Sequence, residues 1–265
     1  MFDHYNRPIN YLRISVTDRC NLRCTYCMPE EDFRLLDHSD ILTFEEITEF
    51  TKLAVANGIT KVRLTGGEPL VRKGIVELVA MLAAIDGLRD LSMTTNGIFL
   101  PQYAADLKKA GLNRINISLD TVNPDSYCQI TRTGDLAQVL EGIEAARNAG
   151  LEPIKINCVL IGEPDDDTRK LKQFCAERGL SLRFIHQMNL KTGEFSTVEG
   201  GEGGNCSKCN RVRLLANGDI KPCLFSDLTF NIRKLGHQEA LNLALGNKPK
   251  AGTYNKSGEF YNIGG

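Results

Sequence analysis

The sequence predicts an α/β fold in which a partial, six-stranded parallel β/α barrel is followed by a small C-terminal subdomain. Six strand-like segments alternate with amphipathic helical segments up to Met188, which is typical of right-handed crossovers in a parallel sheet. Six strands are fewer than the eight of a closed barrel, and an open doubly wound sheet is the competing architecture. Because the composition changes after Met188, we expect two units, residues 1–188 and 189–265.

The elements of the barrel follow from periodicity and capping residues. Thr43 and Glu46 form a capping box before an apolar stripe of Ile47, Phe50 and Ala54, so we expect a helix to begin there. Further helices are expected at residues 74–85, 103–110, 137–149 and 166–177. The predicted strands are residues 11–16, 61–65, 90–95, 114–119, 153–160 and 181–188.

The C-terminal unit is predicted to be less regular. Residues 189–205 are rich in Gly, Glu, Thr and Ser, and this composition predicts a loop. Short strands are expected at residues 211–215 and 219–222, on either side of an Asn-Gly turn. A final helix is expected at residues 238–245, before an extended tail.

Polar and apolar side chains alternate along the predicted strands, whereas strands buried on both faces are usually apolar throughout. One face therefore packs on the helices and the other lines the barrel interior. The cations of this polar face are Arg13, Lys61, Arg63, Arg114, Lys155 and Arg183. Buried cations need partners, so they pair with carboxylates, lie near the barrel ends, or bind an anionic ligand, most simply a phosphorylated one.

Six of the nine cysteines form two triplets. They are Cys20, Cys24 and Cys27, spaced C-x3-C-x2-C, and Cys206, Cys209 and Cys223, spaced C-x2-C-x13-C. Three thiolates can hold an iron–sulfur cluster with one iron left free to bind a substrate or cofactor. Zinc prefers four ligands in two pairs. For the second triplet, a zinc ion completed by a distant histidine such as His186 remains an alternative.

Composition narrows the function classes. A net charge of −1 over 265 residues argues against binding to nucleic acid or to a membrane surface. No apolar run reaches membrane-spanning length. Unpaired thiols and the absence of a recognisable targeting segment predict a cytoplasmic location. The remaining cysteines, Cys128, Cys158 and Cys175, are interpreted as small buried apolar residues.

The first cysteine triplet and the segment Thr65-Gly66-Gly67-Glu68-Pro69, at the ends of consecutive strands, together resemble the radical S-adenosylmethionine (SAM) superfamily. The resemblance implies a [4Fe–4S] cluster whose open iron chelates the amino and carboxylate groups of SAM. It also implies that the glycine-containing segment lies along the methionine end of SAM, where glycine permits close backbone approach.

Further motifs resemble the GTP 3′,8-cyclase family of molybdenum cofactor biosynthesis within that superfamily. They are Y-L-R-I-S, K-V-R-L-T-G-G-E-P-L, T-T-N-G, N-I-S-L-D, L-R-F-I, C-S-K-C-N-R-V-R-L, K-P-C-L-F and the terminal Gly264-Gly265. The resemblance covers nearly the whole chain. It implies that the second triplet holds another [4Fe–4S] cluster whose free iron meets the guanine of GTP, which makes the C-terminal unit an iron–sulfur subdomain.

The resemblance also assigns residues. The SAM-contacting positions are Tyr26, Gly67, Thr94, Ser118 and Met188. The GTP-contacting positions are Arg13, Lys61, Arg63, Lys155, Arg183, Arg211 and Arg213. Among these, we expect Arg13, Arg211 and Arg213 to be catalytic. Five of the seven were already indicated by strand alternation, so two lines of reasoning favour a phosphorylated substrate.

The implied reaction begins when an electron reaches the first cluster and SAM is cleaved to methionine and a 5′-deoxyadenosyl radical. This radical takes a hydrogen from C3′ of GTP, and the C3′ radical attacks C8 of the guanine. The implied partners are an external low-potential reductant, such as a flavodoxin or ferredoxin, and a downstream enzyme that forms the pyranopterin. A homodimer is common in the family, and we treat it as possible here.

One departure from the family pattern affects the substrate prediction. Residues 189–205 are short where the family has a longer segment that covers the barrel mouth, and His186 stands where an acidic residue is usual. Two competing functions therefore remain: a radical SAM enzyme that modifies a peptide or another nucleotide, and a non-catalytic iron–sulfur module. The terminal Gly264-Gly265 is expected to reach the active site, or else to be a disordered tail.

Overall fold

The computed structural model describes residues 1–28, 33–256 and 260–263. The strands are β1 (Tyr11–Ser15), β2 (Lys61–Thr65), β3 (Asp90–Thr95), β4 (Arg114–Ser118), β5 (Lys155–Leu160), β6 (Ser181–His186), β7 (Arg211–Leu214), β8 (Asp219–Lys221) and β9 (Phe230–Asn231). The helices are α1 (Phe44–Ala56), α2 (Ile75–Ala83), α3 (Leu100–Lys109), α4 (Pro124–Thr131), α5 (Leu136–Asn148), α6 (Asp166–Glu177), α7 (Ile232–Leu235), α8 (His237–Gly246) and α9 (Phe260–Ile263).

The strands form one sheet with the order β6-β5-β4-β3-β2-β1-β7-β8-β9. All neighbours from β6 through β7 are parallel, whereas β8 and β9 are antiparallel. The predicted α/β fold with a parallel sheet is confirmed. Beyond the six expected strands, β7 from the C-terminal unit adds a seventh parallel strand beside β1, and this pairing could not be foreseen from local periodicity.

Local signals account for the ends of most helices. The side-chain oxygen of Thr43 accepts from the backbone N–H of Glu46 at 3.2 Å, and the carboxylate of Glu46 accepts from the N–H of Thr43 at 2.7 Å, so the predicted capping box is present. Helix α4 was not predicted. Asn123 caps it and Pro124 is its first residue, but only Tyr127 and Thr131 are buried, so it has no apolar stripe to detect.

A single large core lies between the apolar face of the sheet and the surrounding helices. Leu12, Ile14, Val62 and Leu64 from β1 and β2 are fully buried in it. A smaller cluster, formed by residues that follow β6, contains Leu190, Leu215, Phe225 and Ile263. Within the described ranges, no helix has the length and hydrophobicity needed to cross a bilayer.

Candidate active site

The first cysteine triplet lies beside the C-terminal end of β1, held by the glycine segment that follows β2. The N–H of Gly67 donates to the carbonyl of Thr17 at 2.7 Å, and the N–H of Glu68 donates to the carbonyl of Arg19 at 2.8 Å. A Cβ at Gly67 would lie 2.3 Å from the Arg19 carbonyl oxygen, so only glycine allows this approach. The two segments that form the predicted SAM site are therefore joined by backbone contacts.

Helix α4 supports the cysteine loop from its other side. The N–H of Thr25 donates to the carbonyl of Ile130 at 2.9 Å, and the N–H of Arg23 donates to that of Thr131 at 3.2 Å. The guanidinium of Arg132 also donates to the carbonyl of Arg23 at 2.9 Å. The helix that the sequence analysis missed is therefore part of the support of this site.

The three thiols have the chemistry that an iron–sulfur cluster needs. Cys20, Cys24 and Cys27 are free and half-buried. Burial raises the pKa of Cys20 to about 11 and those of Cys24 and Cys27 to about 12. The nearby Asp120 adds to the rise at Cys24. Since thiolates bind iron, binding must displace these protons. Three soft ligands at one end of the sheet fit such a cluster.

Asp120 orients the aromatic residue of the cysteine loop. The hydroxyl of Tyr26 donates to one carboxylate oxygen of Asp120 at 2.8 Å, and the N–H of Val159 donates to the other at 2.7 Å. Burial raises the pKa of Asp120 to about 6. Asp120 ends one of the motifs that carry the family resemblance, but no pattern in the sequence singles it out, because its partner lies 94 positions away.

A cavity of about 270 Å3 brings the predicted SAM-contacting residues together. Its lining contains Tyr26, Gly67, Thr94, Ser118 and Met188. Cys24 and Cys27 also line it. The hydroxyl oxygen of Thr94 is buried and has no hydrogen-bond partner within the described part of the chain. A buried polar atom of this kind is expected to meet a ligand.

Glu68 anchors the floor of this cavity. It is 1% exposed, and its carboxylate accepts from the Leu70 N–H at 2.9 Å, the Thr95 hydroxyl at 2.7 Å and the Asn96 N–H at 2.7 Å. Burial nevertheless raises its pKa to about 7. The glycine segment is thus tied to β3 as well as to the cysteine loop.

The predicted substrate cations lie on the same face of the sheet. Arg13, Arg63, Arg183 and Arg211 line the cavity, whereas Lys61, Lys155 and Arg213 lie outside its lining. The parallel register places Arg13 opposite both Arg63 on β2 and Arg213 on β7. Three arginines of adjacent strands therefore form one row across the sheet.

Carboxylates pair with only part of this basic face. Arg114 binds Asp90 through two hydrogen bonds of 3.1 and 2.6 Å. In contrast, the Nε atoms of Arg13 and Arg211 are buried without a partner among the residues described. Burial, followed by the charge of Arg213, holds the pKa of Arg13 well below its ordinary value. Such a concentration of buried positive charge is suited to a polyanionic ligand.

Tyr11 is a further residue of this face that the sequence analysis did not select. It lies opposite Lys61 and Arg211 in the strand register. The guanidinium carbons of Arg63 and Arg211 lie 5.5 and 6.0 Å from its ring centroid, within cation–π range. Its hydroxyl is buried and has no partner in the described ranges.

The second cysteine triplet is built around β7 and β8. Cys206 begins a 3-10 turn and the N–H of Cys209 donates to its carbonyl at 3.2 Å. Cys209 precedes β7, and Cys223 follows β8. All three thiols are free and half-buried, so this set again offers three soft ligands. Burial raises the pKa of Cys223.

His186, considered above as a zinc ligand, contacts a carboxylate of the segment that follows β6. Its Nε2 lies 3.0 Å from a carboxylate oxygen of Glu199, and Phe184 and Glu199 exchange backbone hydrogen bonds of 3.2 and 3.0 Å.

The short segment after β6 folds over the cavity. Val198, Gly201 and Gly203 belong to the cavity lining, so this segment covers part of the cavity despite its length. The pair His186–Glu199 and the backbone bridge beside it attach the cover to β6. The predicted Gly264-Gly265 contact lies outside the described residues.

Comparison with known proteins agrees with this geometry. Residues 14–175 match the radical SAM superfamily, and the chain is an enzyme of that superfamily. Members use SAM and an iron–sulfur cluster, to which the first triplet is suited. The structure of Streptococcus suis SuiB bound to S-adenosylmethionine has the same fold, with a TM-score of 0.66 at 18% identity, over 91% of this chain and 66% of that chain.

Curated relatives define the family more narrowly. The chain is 44% identical over 275 residues to a GTP 3′,8-cyclase of Alkaliphilus oremlandii (strain OhILAs), covering 88% of this chain and 86% of the relative. It is 42% identical over 303 residues to that of Geobacter sulfurreducens (strain ATCC 51573 / DSM 12127 / PCA), covering 94% and 93%. Within the superfamily, the chain belongs to the GTP 3′,8-cyclase family.

The alignment lengths also agree with a shortened segment. Since 88% of 265 residues is about 233, roughly 42 of the 275 positions aligned with the A. oremlandii protein have no counterpart in this chain.

Proposed function

We propose that this enzyme is a GTP 3′,8-cyclase that catalyses the first step of molybdenum cofactor biosynthesis. The observation that carries the proposal is the row of Arg213, Arg13 and Arg63 beside the cavity that contains the SAM-contacting positions. A triphosphate at this row would neutralise the positive charge of three neighbouring arginines. The identity to curated GTP 3′,8-cyclases supports the same substrate.

Cys20, Cys24 and Cys27 would hold the first [4Fe–4S] cluster, and the residues predicted to contact SAM would bind it beside the open iron. When bound, cluster and SAM supply the 5′-deoxyadenosyl radical. The chain contributes position and exclusion of water. Gly67 permits close approach of the methionine end of SAM. The hydrogen bond between Tyr26 and Asp120 fixes the Tyr26 ring, which lies between Cys24 and Cys27 in the sequence.

The predicted substrate residues act on the nucleotide through charge. Arg13, Arg63, Arg183 and Arg211 would contact the nucleotide from the cavity wall, while Lys61, Lys155 and Arg213 add to the field of the same face. We assign catalytic roles to Arg13 and Arg211 in the cavity wall, and to Arg213, which lies opposite Arg13 in the strand register. Tyr11 joins this set through its unpartnered hydroxyl, which would donate to the substrate.

Cys206, Cys209 and Cys223 would hold a second [4Fe–4S] cluster whose open iron binds the guanine. Arg211 and Arg213 follow Cys209 on β7, so the base and phosphate sites would be adjacent. The same proposal places the boundary of the C-terminal subdomain at residue 188. It also includes an external flavodoxin or ferredoxin as electron donor, a downstream enzyme that forms the pyranopterin, and a homodimer.

The test is an anaerobic turnover assay on cluster-reconstituted protein with SAM, a reductant and GTP, with mass spectrometry of the small products. We expect 5′-deoxyadenosine together with a cyclised product derived from GTP. Formation of 5′-deoxyadenosine with GTP recovered unchanged would exclude GTP as substrate and favour the peptide or other nucleotide alternative. Arg89→Met is a matched control for variants of the basic row, because Arg89 is exposed.

A further inference from the structure

A buried lysine connects the two chain segments that contain the second cysteine triplet. Lys248, just after α8, is 3% exposed. Its ammonium group donates to the carbonyl of Arg211 at 2.8 Å and to the carbonyl of Pro222 at 2.6 Å. Arg211 is two positions after Cys209 and Pro222 directly precedes Cys223, so one side chain fixes both cysteine-bearing segments.

Arg7 completes this support at the third cysteine. Its guanidinium donates to the carbonyls of Cys206 at 2.7 Å, Pro249 at 2.7 Å and Lys250 at 2.9 Å. A buried ion pair with Asp3 at 2.6 Å holds Arg7 itself in place. The backbone around all three cysteines is therefore tied to the segment that contains Lys248.

Lys248 also brings a buried positive charge to the second triplet. Its ammonium group lies within hydrogen-bond distance of backbone carbonyls two positions after Cys209 and one position before Cys223. At the first triplet, by contrast, the carboxylate of Asp120 binds the hydroxyl of Tyr26, which lies between Cys24 and Cys27 in the sequence. The buried cation beside the second triplet is therefore placed to act on a cluster held there.

We propose that Lys248 is a positioning residue that holds a [4Fe–4S] cluster at Cys206, Cys209 and Cys223 and raises its reduction potential. This inference rests on the second cluster of the proposed function. One-electron reduction adds one negative charge to a cluster already made anionic by three thiolates, with no proton transferred. A buried cation stabilises the reduced form more than the oxidised form, because the attraction grows with the charge of the cluster.

The experiment compares the wild type, Lys248→Met, Lys248→Arg and Lys250→Met. Methionine keeps most of the side-chain volume while removing the charge and the hydrogen bonds. Lys250 has the same charge two positions away, but its side chain is exposed. Iron content and redox titration monitored by electron paramagnetic resonance are measured for each protein, and added SAM identifies the first cluster by the change in its signal.

We expect a more negative midpoint potential for the second cluster in Lys248→Met, with no change at the first cluster and none in Lys250→Met. Lys248→Arg should retain the wild-type potential because it keeps the charge. Selective loss of the second cluster from Lys248→Met, with rescue by Lys248→Arg, would also support the proposal. An intact first cluster shows that each variant is folded.

An unchanged second-cluster potential in an iron-loaded Lys248→Met protein would overturn the proposal, as would equal shifts in Lys248→Met and Lys248→Arg. If the protein had no second cluster at all, the measured iron content would show it. In that case wild-type protein would contain the iron of one cluster only, and Cys206→Ser would lose none of it.

Discussion

Arg13 lies directly opposite Arg213 in the parallel register of β1 and β7, so two guanidinium groups occupy neighbouring positions on the polar face of the sheet. Arg213 is 6% exposed, and burial lowers its pKa to about 10. The charge of Arg213 also lowers the pKa of Arg13, and the charge of Arg211 lowers that of Arg213. Like charges at this separation destabilise the ligand-free protein and favour binding of an anion.

Replacing Arg13 should therefore weaken substrate binding without reducing the stability of the ligand-free protein. We expect Arg13→Met to weaken GTP binding by about tenfold or more, since a hydrogen bond to a charged group contributes about 1.5–3 kcal/mol. The ligand-free protein should not become less stable, because one like charge is removed. Thermal unfolding with and without GTP measures both effects.

Arg114→Met provides the contrast, because Arg114 is paired with Asp90 at 2.6 Å. This variant should be less stable without GTP and should retain most of the GTP-induced rise in melting temperature. Equal GTP-induced rises in wild type and Arg13→Met would contradict the role assigned to the arginine row.

The close approach of Gly67 to the Arg19 backbone predicts that any side chain at position 67 reduces stability and weakens SAM binding. Gly67→Ala places a Cβ 2.3 Å from the carbonyl oxygen of Arg19, so the cysteine loop must shift. We expect a loss of about 1–3 kcal/mol in the free energy of unfolding and weaker SAM binding. Gly246→Ala is the control, because its nearest contact would be 3.5 Å. Urea unfolding and calorimetric SAM binding that match wild type would exclude steric contact as the reason for glycine here.

Glu68 should make stability depend on pH. Its pKa in the folded state, about 7, exceeds the ordinary value of 4.5, so between these pH values the folded protein binds more protons than the unfolded one. Stability therefore falls as pH rises from about 4.5 to about 7, by on the order of 3 kcal/mol.

Glu68→Gln should flatten this part of the stability profile, whereas Glu49→Gln, at an exposed position, should leave it unchanged. Urea unfolding at several pH values measures the slope. A Glu68→Gln profile parallel to that of wild type would show that another group is responsible.

The cover segment should control how tightly SAM cleavage is coupled to product formation. Gly204 has a φ of +81°, and a Cβ there would lie 2.1 Å from the carbonyl oxygen of Ser196. Gly204→Ala should therefore displace the cover and admit water. We expect more 5′-deoxyadenosine for each cyclised product, measured by mass spectrometry. Gly179→Ala tests backbone strain alone, since its φ is +63° with no atom within 4 Å, and it should remain coupled.

Much of the fold could be predicted because the relevant signals are local. Strand β2 and helix α6 have the predicted bounds, and the Thr43 capping box marks the start of α1. Helix α4 was missed because it has too few buried residues to show a period. The residues assigned to SAM and GTP by resemblance stay predictions, although five of the former and four of the latter line one cavity.

Residue type and short-range spacing are enough to predict the alternation of strands and helices, the polar face with its arginines and the two sets of three thiols. They do not predict that β7 pairs with β1, that Asp120 binds Tyr26, or that Lys248 joins the segments around Cys209 and Cys223. Each of these relationships joins residues that are distant in the chain. Their contacts depend on how the sheet is assembled, which no local pattern encodes.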